Sequence, residues 1–143
     1  MSKDDKNLDI KVGAGNILNL TIAGDISGSN MAKLTEWIQE VKQSILDLHK
    51  KTGDRVLCLV DITGLEKYDP EAITILADMM KENEPHIKKT ATFGGSKYVV
   101  LAEDVVVALS GRKNLKGFEK KEKALAWLNG EDEAAEADPE VEL

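Results

Sequence analysis

Two aspartates, Asp61 and Asp69, are the side chains of this sequence best suited to acid–base chemistry. Asp61 directly follows the apolar run of residues 56–60, and Asp69 directly precedes Pro70. Two carboxylates at one end of a sheet can serve as general acid and general base. Because neither a nucleophile nor a metal-ligand set accompanies them, we interpret Asp69 as a helix N-cap and Asp61 as a strand-end residue that accepts hydrogen bonds from loop amides. We therefore assign no catalytic residue.

Histidine and cysteine are too sparse to predict a metal site. The chain holds His49, His86 and a single cysteine, Cys58, which lies inside the apolar run. Structural zinc sites take four such ligands at characteristic spacings, and no such spacing occurs here, so we predict no metal and no cofactor. Cys58 is expected to be a buried core residue, and one cysteine forms no intrachain disulfide, which suits a reducing compartment.

The charge of the chain is concentrated at its end. The net charge is −7, and residues 130–143 hold seven acidic and no basic side chains, which leaves residues 1–129 neutral. This distribution argues against nucleic acid or an anionic membrane as the main partner. We predict a flexible N-terminus over residues 1–7, one domain over residues 8–129 and a disordered acidic tail over residues 130–143. No apolar run is long enough to span a bilayer, so we predict no membrane insertion and a cytoplasmic location.

The two aspartates are positioned by a central strand and the helix after it. Five consecutive apolar residues, 56–60, are typical of a strand buried on both faces at the centre of a parallel sheet. Asp69, Pro70 and Glu71 then form a helix-start signal of N-cap, first-position proline and first-turn acid. A loop and a helix N-terminus at the carboxyl end of a central strand are where open α/β sheets carry functional surfaces.

The remaining elements complete an alternating order. Leu8 to Ile22 predicts a β-hairpin that turns at residues 13–16, and an amphipathic helix runs from Met31 to Gly53. Further along we predict a strand at residues 90–93, a helix at 98–110, a strand at 115–118 and a closing helix at 120–129. The order ββαβαβαβα predicts an α/β fold, a mixed β-sheet with helices packed against it.

This order, together with the segments LVDITG (59–64) and YDPEA (68–72), resembles the STAS domain, a family that includes anti-sigma factor antagonists. Phe118 followed by EKALAWL (122–128), with His86 before the fourth strand, is similar to its SpoIIAA-like branch. The resemblance covers residues 8–129. It implies a STAS-like mixed sheet and a non-enzymatic regulatory module that acts by protein–protein binding. The implied partner is an anti-sigma factor or a kinase-like protein.

The chain departs from this family at the regulatory position. In the antagonists, a hydroxyl residue after the aspartate is phosphorylated, whereas Pro70 stands there in this sequence. We therefore expect a constitutive partner without the usual phosphoswitch. Glu71 either favours the first helical turn or supplies part of the charge of a phosphate. Thr63 and Thr74 keep hydroxyls nearby and are alternative phosphoacceptors, although loop hydrogen bonding also explains Thr63.

The predicted partner-binding surface covers residues 61–71 and the start of the following helix. Each residue assigned to this surface has an oxygen-bearing side chain and lies close to the carboxyl end of the central strand. They are Asp61, Thr63, Asp69, Glu71 and Thr74.

The segment 98–110 supports a different function. It is apolar on nearly all sides, which suits a core helix, the face of a homodimer or the wall of a ligand cleft. SpoIIAA-like domains also resemble the lipid-carrying CRAL-TRIO fold. The alternative is thus a carrier or sensor of a small apolar ligand or lipid, held in a cleft beside Tyr98, Val99 and Val106.

Overall fold

A computed structural model describes residues 8–94 and 115–130 of the chain. Three predictions fall outside the described residues: the flexible segment 1–7, the helix at 98–110 and all but the first residue of the acidic tail. In chain order the described elements are β1 (Leu8–Val12), β2 (Ile17–Ile22), β3 (Gly24–Ile26), α1 (Met31–Thr52), β4 (Val56–Asp61), β5 (Leu65–Tyr68), α2 (Pro70–Asn83), β6 (Ile87–Phe93), β7 (Leu115–Phe118) and α3 (Lys121–Leu128).

The main sheet has five strands in the order β1-β2-β4-β6-β7. The hairpin β1–β2 is antiparallel, and β2, β4, β6 and β7 pair in parallel. This arrangement confirms the predicted mixed sheet, with the apolar run as its central strand. Because the four parallel strands point the same way, their carboxyl ends all lie at the same end of the sheet. Asp61, the last residue of β4, lies at that end.

Two further strands were not predicted. β3 and β5 pair in parallel and form a separate two-stranded sheet, with Ile26 opposite Tyr68. The loop predicted between the central strand and Asp69 contains β5, so that prediction was wrong for residues 65–68. Gly24 and Asp25 are poor strand formers, and β3 is only three residues long, so its pairing depends on β5 rather than on its own composition.

Both faces of β4 are covered, as predicted. Val56, Cys58 and Val60 belong to the larger core cluster, which α1 closes with six buried side chains. Leu59 faces the other way, into the cluster that α3 closes. Cys58 is 2% exposed, which confirms its prediction as a core residue. Because successive side chains of β4 point to opposite faces, this strand packs against α1 on one face of the sheet and against α3 on the other.

The end of α3 is held by a cation. The Lys89 Nζ atom donates to the Trp127 carbonyl over 2.8 Å and lies 4.9 Å from the centroid of the Trp127 ring. That ring packs against Phe118 of β7. A positive charge at a helix C-terminus interacts favourably with the negative end of the helix dipole, so Lys89 stabilises the position of α3 on the sheet.

We predict that Lys89→Met lowers the free energy of unfolding by about 1–2 kcal/mol, because a charge-assisted hydrogen bond and a cation–π contact are lost. Lys42→Met, on the exposed face of α1, makes the same change of charge and serves as the control, with an expected effect within about 0.5 kcal/mol. Urea denaturation measures both. Equal losses in the two variants would contradict the role of Lys89.

Candidate functional site

The loop after β4 begins with a side-chain hydrogen bond. The Asp61 Oδ1 atom accepts from the Thr63 backbone N–H over 2.9 Å, which confirms the prediction that Asp61 bonds a loop amide. The Leu65 N–H then donates to the Ile62 carbonyl over 3.2 Å and closes a turn. Asp61 is half-buried and Thr63 is exposed, so this turn carries its polar groups at the surface.

Glycine at position 94 lets the loop lie directly against the end of β6. The Ile62 N–H donates to the Phe93 carbonyl over 3.0 Å. A Cβ atom added at Gly94 would lie 2.7 Å from the Thr63 nitrogen and 2.8 Å from the Ile62 carbonyl carbon, and φ at Gly94 is +141°. Only glycine fits both the close approach and the backbone conformation.

The small sheet anchors the other side of the loop. The Gly24 N–H donates to the Gly64 carbonyl and the Asp69 N–H donates to the Ile26 carbonyl, both over 2.9 Å. These two bonds hold the segment after β2 against the segment after β4. Residues 61–69 are therefore fixed by backbone hydrogen bonds at both ends, which limits the loop's conformational freedom.

Asp69 occupies the predicted N-cap position but does not cap its helix with its side chain. Its backbone is extended, and its Oδ2 atom accepts from the Gly28 N–H over 3.1 Å. The parallel pairing of β3 with β5 places Gly28 beside Asp69, so the carboxylate bonds across the small sheet instead of back to α2. The prediction that the Asp69 side chain caps α2 is thus wrong, although α2 begins at Pro70 as expected.

Three further polar residues, none of them among the five predicted site residues, lie in the small sheet or directly after β3. The Ser27 hydroxyl donates to the Asp25 carboxylate, and Lys67 Nζ lies 3.8 Å from Asp25 Oδ2. The side chains of Lys67 and Asp25 are 64% and 41% exposed, so this ion pair is weak. Only the pairing of β3 with β5 brings Asp25, Ser27 and Lys67 together, and no short-range pattern signals it.

The first turns of α2 present Glu71 and Thr74 to solvent. Both side chains are exposed, and within the described part of the chain neither makes a hydrogen bond or an ion pair. Pro70 occupies the first helical position and offers no hydroxyl. Thr74 lies about one turn beyond Pro70, on the same stretch of helix as Glu71.

We name this region the edge surface and define it as residues 61–71 with Asp25, Ser27 and Thr74. It contains the five predicted residues, which lie between positions 61 and 74, and adds Asp25 and Ser27 from the other strand of the small sheet and the residue after it. Tyr98, Val99 and Val106 of the alternative ligand cleft lie outside the described residues. Among residues 8–94 and 115–130, no three metal-ligating side chains come together, and no helix has the length and apolarity to cross a membrane.

We predict that Gly94→Ala destabilises the protein by roughly 2 kcal/mol or more, because the new Cβ atom meets backbone atoms of Ile62 and Thr63 that cannot move independently. The matched control is Gly15→Ala. Gly15 has φ +71° with nothing within 4 Å of its added Cβ atom, so that variant loses only about 1 kcal/mol from backbone strain. Chemical denaturation measures both variants. Equal losses would show that Gly94 does not pack closely on the loop.

Comparison with known proteins agrees with this architecture. A family model described as SpoIIAA-like matches residues 17–129. No curated protein matches the chain. Among solved structures, an uncharacterized protein of the DUF3478 family from Shewanella loihica PV-4, with a SpoIIAA-like fold, is 20% identical to this chain, with a TM-score of 0.58. The match covers 85% of this chain and 91% of that protein, and at this identity it shows the fold alone. The family match, which spans most of the chain, shows that this protein belongs to the SpoIIAA-like family.

Proposed function

We propose that this protein is a non-enzymatic, STAS-like regulatory module that binds another protein through the edge surface. The observation that carries the proposal is a set of exposed and half-buried carboxylates and hydroxyls, most of them on a stretch of backbone fixed at both ends. Such a surface is preorganised, so little conformational entropy is lost when a partner docks. Functional residues on loops held by a rigid scaffold are a common arrangement in α/β proteins.

The charge of the edge surface favours a basic partner segment. Asp61, Asp69, Glu66 and Glu71 contribute negative charge, and Lys67 is the one cation between residues 61 and 74. Complementary charge across an interface increases the rate of association, and this increase becomes smaller as salt is added. The family resemblance supports an anti-sigma factor or a kinase-like protein as the proposed partner, and we propose the cytoplasm as the location of the complex.

Pro70 supports constitutive binding. Phosphorylation at the first turn of α2 would add nearly two negative charges at a helix N-terminus and change the edge surface. Proline accepts no phosphate, and Glu71, the next residue, contributes a permanent negative charge in the same turn. We therefore expect that phosphorylation does not regulate the protein at this position.

We predict that Glu71→Lys weakens binding to purified anti-sigma factors or anti-sigma kinases of the same cell by about tenfold or more, because the charge is reversed at the interface. Glu71 is a better probe than Asp69, because Asp69 also holds Gly28 and its loss would disturb the fold. The matched control is Glu82→Lys on the same helix, about 16 Å away along its axis. Calorimetry or interferometry gives the affinities. Equal effects of the two variants would exclude the start of α2 from the interface.

Restoring a hydroxyl tests the constitutive proposal separately. We predict that Pro70→Ser becomes a substrate for an anti-sigma factor kinase, since serine is well tolerated at a helix start, whereas the natural protein takes up no phosphate. Intact-protein mass spectrometry after incubation with kinase and ATP measures this, with Pro85→Ser as the control. Phosphate found on Thr63 or Thr74 of the natural protein would contradict constitutive binding and assign the switch to that residue.

A further inference from the structure

The two histidines of the chain lie side by side although they are far apart in the sequence. His49 lies in the last turn of α1, and His86 ends the 3₁₀ turn Glu84–His86 between α2 and β6. Their ring centroids are 5.1 Å apart, and the ring planes are tilted by 50°. Both residues are half-buried. Because the sequence holds no other histidine, the fold brings all of its imidazoles to one place.

The separation of the two rings fits a shared metal ion. Two imidazole nitrogens that bind one Zn²⁺ ion at about 2.0–2.1 Å in tetrahedral geometry hold their ring centres about 5 Å apart. The observed 5.1 Å matches this distance. The χ2 torsion of histidine is soft, so the His86 ring can turn a nitrogen toward such an ion at little cost.

A hydrogen bond fixes the tautomer of His49. The His49 Nδ1 atom lies 2.8 Å from the Asp54 carbonyl oxygen. A carbonyl only accepts, so Nδ1 carries the proton, and the Nε2 atom of the neutral ring keeps its lone pair. Histidines that bind metals commonly donate their other ring N–H to a carbonyl or carboxylate in this way. His49 thus already has the arrangement of a metal ligand.

The backbone that carries each ring is fixed. α1 ends in a glycine cap, in which Gly53 has φ +78° and its N–H donates to the His49 carbonyl over 2.8 Å. Pro85 restricts the backbone directly before His86, and β6 begins at the next residue. A ligand that binds between two fixed elements orders little additional chain, which favours binding.

We propose that His49 and His86 form a binding site for one divalent ion of the late first-row transition metals, such as Zn²⁺. Imidazole is a preferred ligand of Zn²⁺, Cu²⁺ and Ni²⁺, whereas Mg²⁺ and Ca²⁺ prefer oxygen. Among residues 8–94 and 115–130, no third histidine, cysteine or carboxylate joins the pair. Water can fill the remaining positions, and such a site binds more weakly than one with four protein ligands. The two ligands are distant in the chain, so no sequence spacing predicted them.

The test uses the untagged, full-length, ¹⁵N-labelled protein and a titration with Zn²⁺ followed by NMR of the imidazole nitrogens. All imidazole signals come from this pair, and the single thiol, that of Cys58, is buried and competes poorly for the ion. We expect both rings to follow one saturable curve with one ion bound per chain, and the Nε2 atom of His49 to bind the ion. An excess of Mg²⁺ should leave this curve unchanged.

Two variants each remove one imidazole. We expect His49→Gln and His86→Gln to weaken Zn²⁺ binding about tenfold or more, since two ligands of one chain bind an ion with a high effective concentration. The matched control is Asp54→Asn, which removes a carboxylate but keeps the carbonyl that bonds to His49, and its affinity should stay within about threefold. Zn²⁺ should also raise the Tm of the natural protein and of Asp54→Asn more than that of either histidine variant.

Several results would overturn the proposal. They are the absence of a saturable response, separate curves for the two rings, displacement by Mg²⁺, and one ion shared between two chains, which sedimentation velocity detects. Histidine variants that bind Zn²⁺ as tightly as the natural protein would also overturn it, and ring packing alone would then explain the pair. Circular dichroism checks the fold of each variant, and the ring signals of the natural protein decide the outcome if a variant misfolds.

This site is independent of the edge surface. His86 follows the C-terminal end of α2, whereas Glu71 lies in its first turn, about 20 Å away along the helix axis. Glu71→Lys should therefore leave Zn²⁺ binding unchanged. A failed metal test leaves the protein-binding proposal standing, and the reverse also holds.

Discussion

The parallel pairing of β4 with strands on both sides is the constraint on which the rest of the structure depends. Val60 lies opposite Leu20 of β2 and Thr92 of β6, so β4 pairs with a strand on each side. Core clusters cover both of its faces. A strand in this position must be apolar to its end, where the chain emerges at the edge of the sheet. The first polar residue, Asp61, therefore marks both the end of the core and the start of the edge surface.

Much of this arrangement could be predicted because it depends on short-range patterns. The apolar run 56–60 specifies a doubly covered strand, and Asp69-Pro70-Glu71 specifies the start of α2, since each requires only neighbouring residues. The small sheet could not be predicted in the same way. Its stability comes from contacts between segments far apart in the chain, such as the bond between Asp69 and Gly28, which are 41 residues apart. No pattern within β3 or β5 encodes that pairing.

The same limit explains why Asp69 was assigned the wrong hydrogen bond. From the sequence, an aspartate before a proline has one obvious role, which is to accept from the first free amides of its own helix. In the structure, a closer donor comes from a distant segment, and the carboxylate links that segment to the start of α2. Asp69 is therefore part of the scaffold of the edge surface, whereas Glu71 and Thr74 are its accessible groups. The sequence alone gave no basis for separating these two roles.

The chain between β4 and the middle of α2 has two sides with different properties. Asp61, Thr63 and Glu71 carry polar groups of the edge surface, while Leu65, Tyr68 and Ala72 pack on the larger core cluster. One segment thus carries the surface proposed to bind a protein and covers part of the core. Because these residues are continuous in the chain, the protein-binding surface and this part of the core share a single piece of backbone.

Hydrogen–deuterium exchange on the complex with its protein partner tests the central claim most directly. We predict slower exchange on binding in residues 61–74 and in the adjoining segment 24–28, with no change in α3. Protection confined to β7 and α3, with residues 61–74 unaffected, would contradict it.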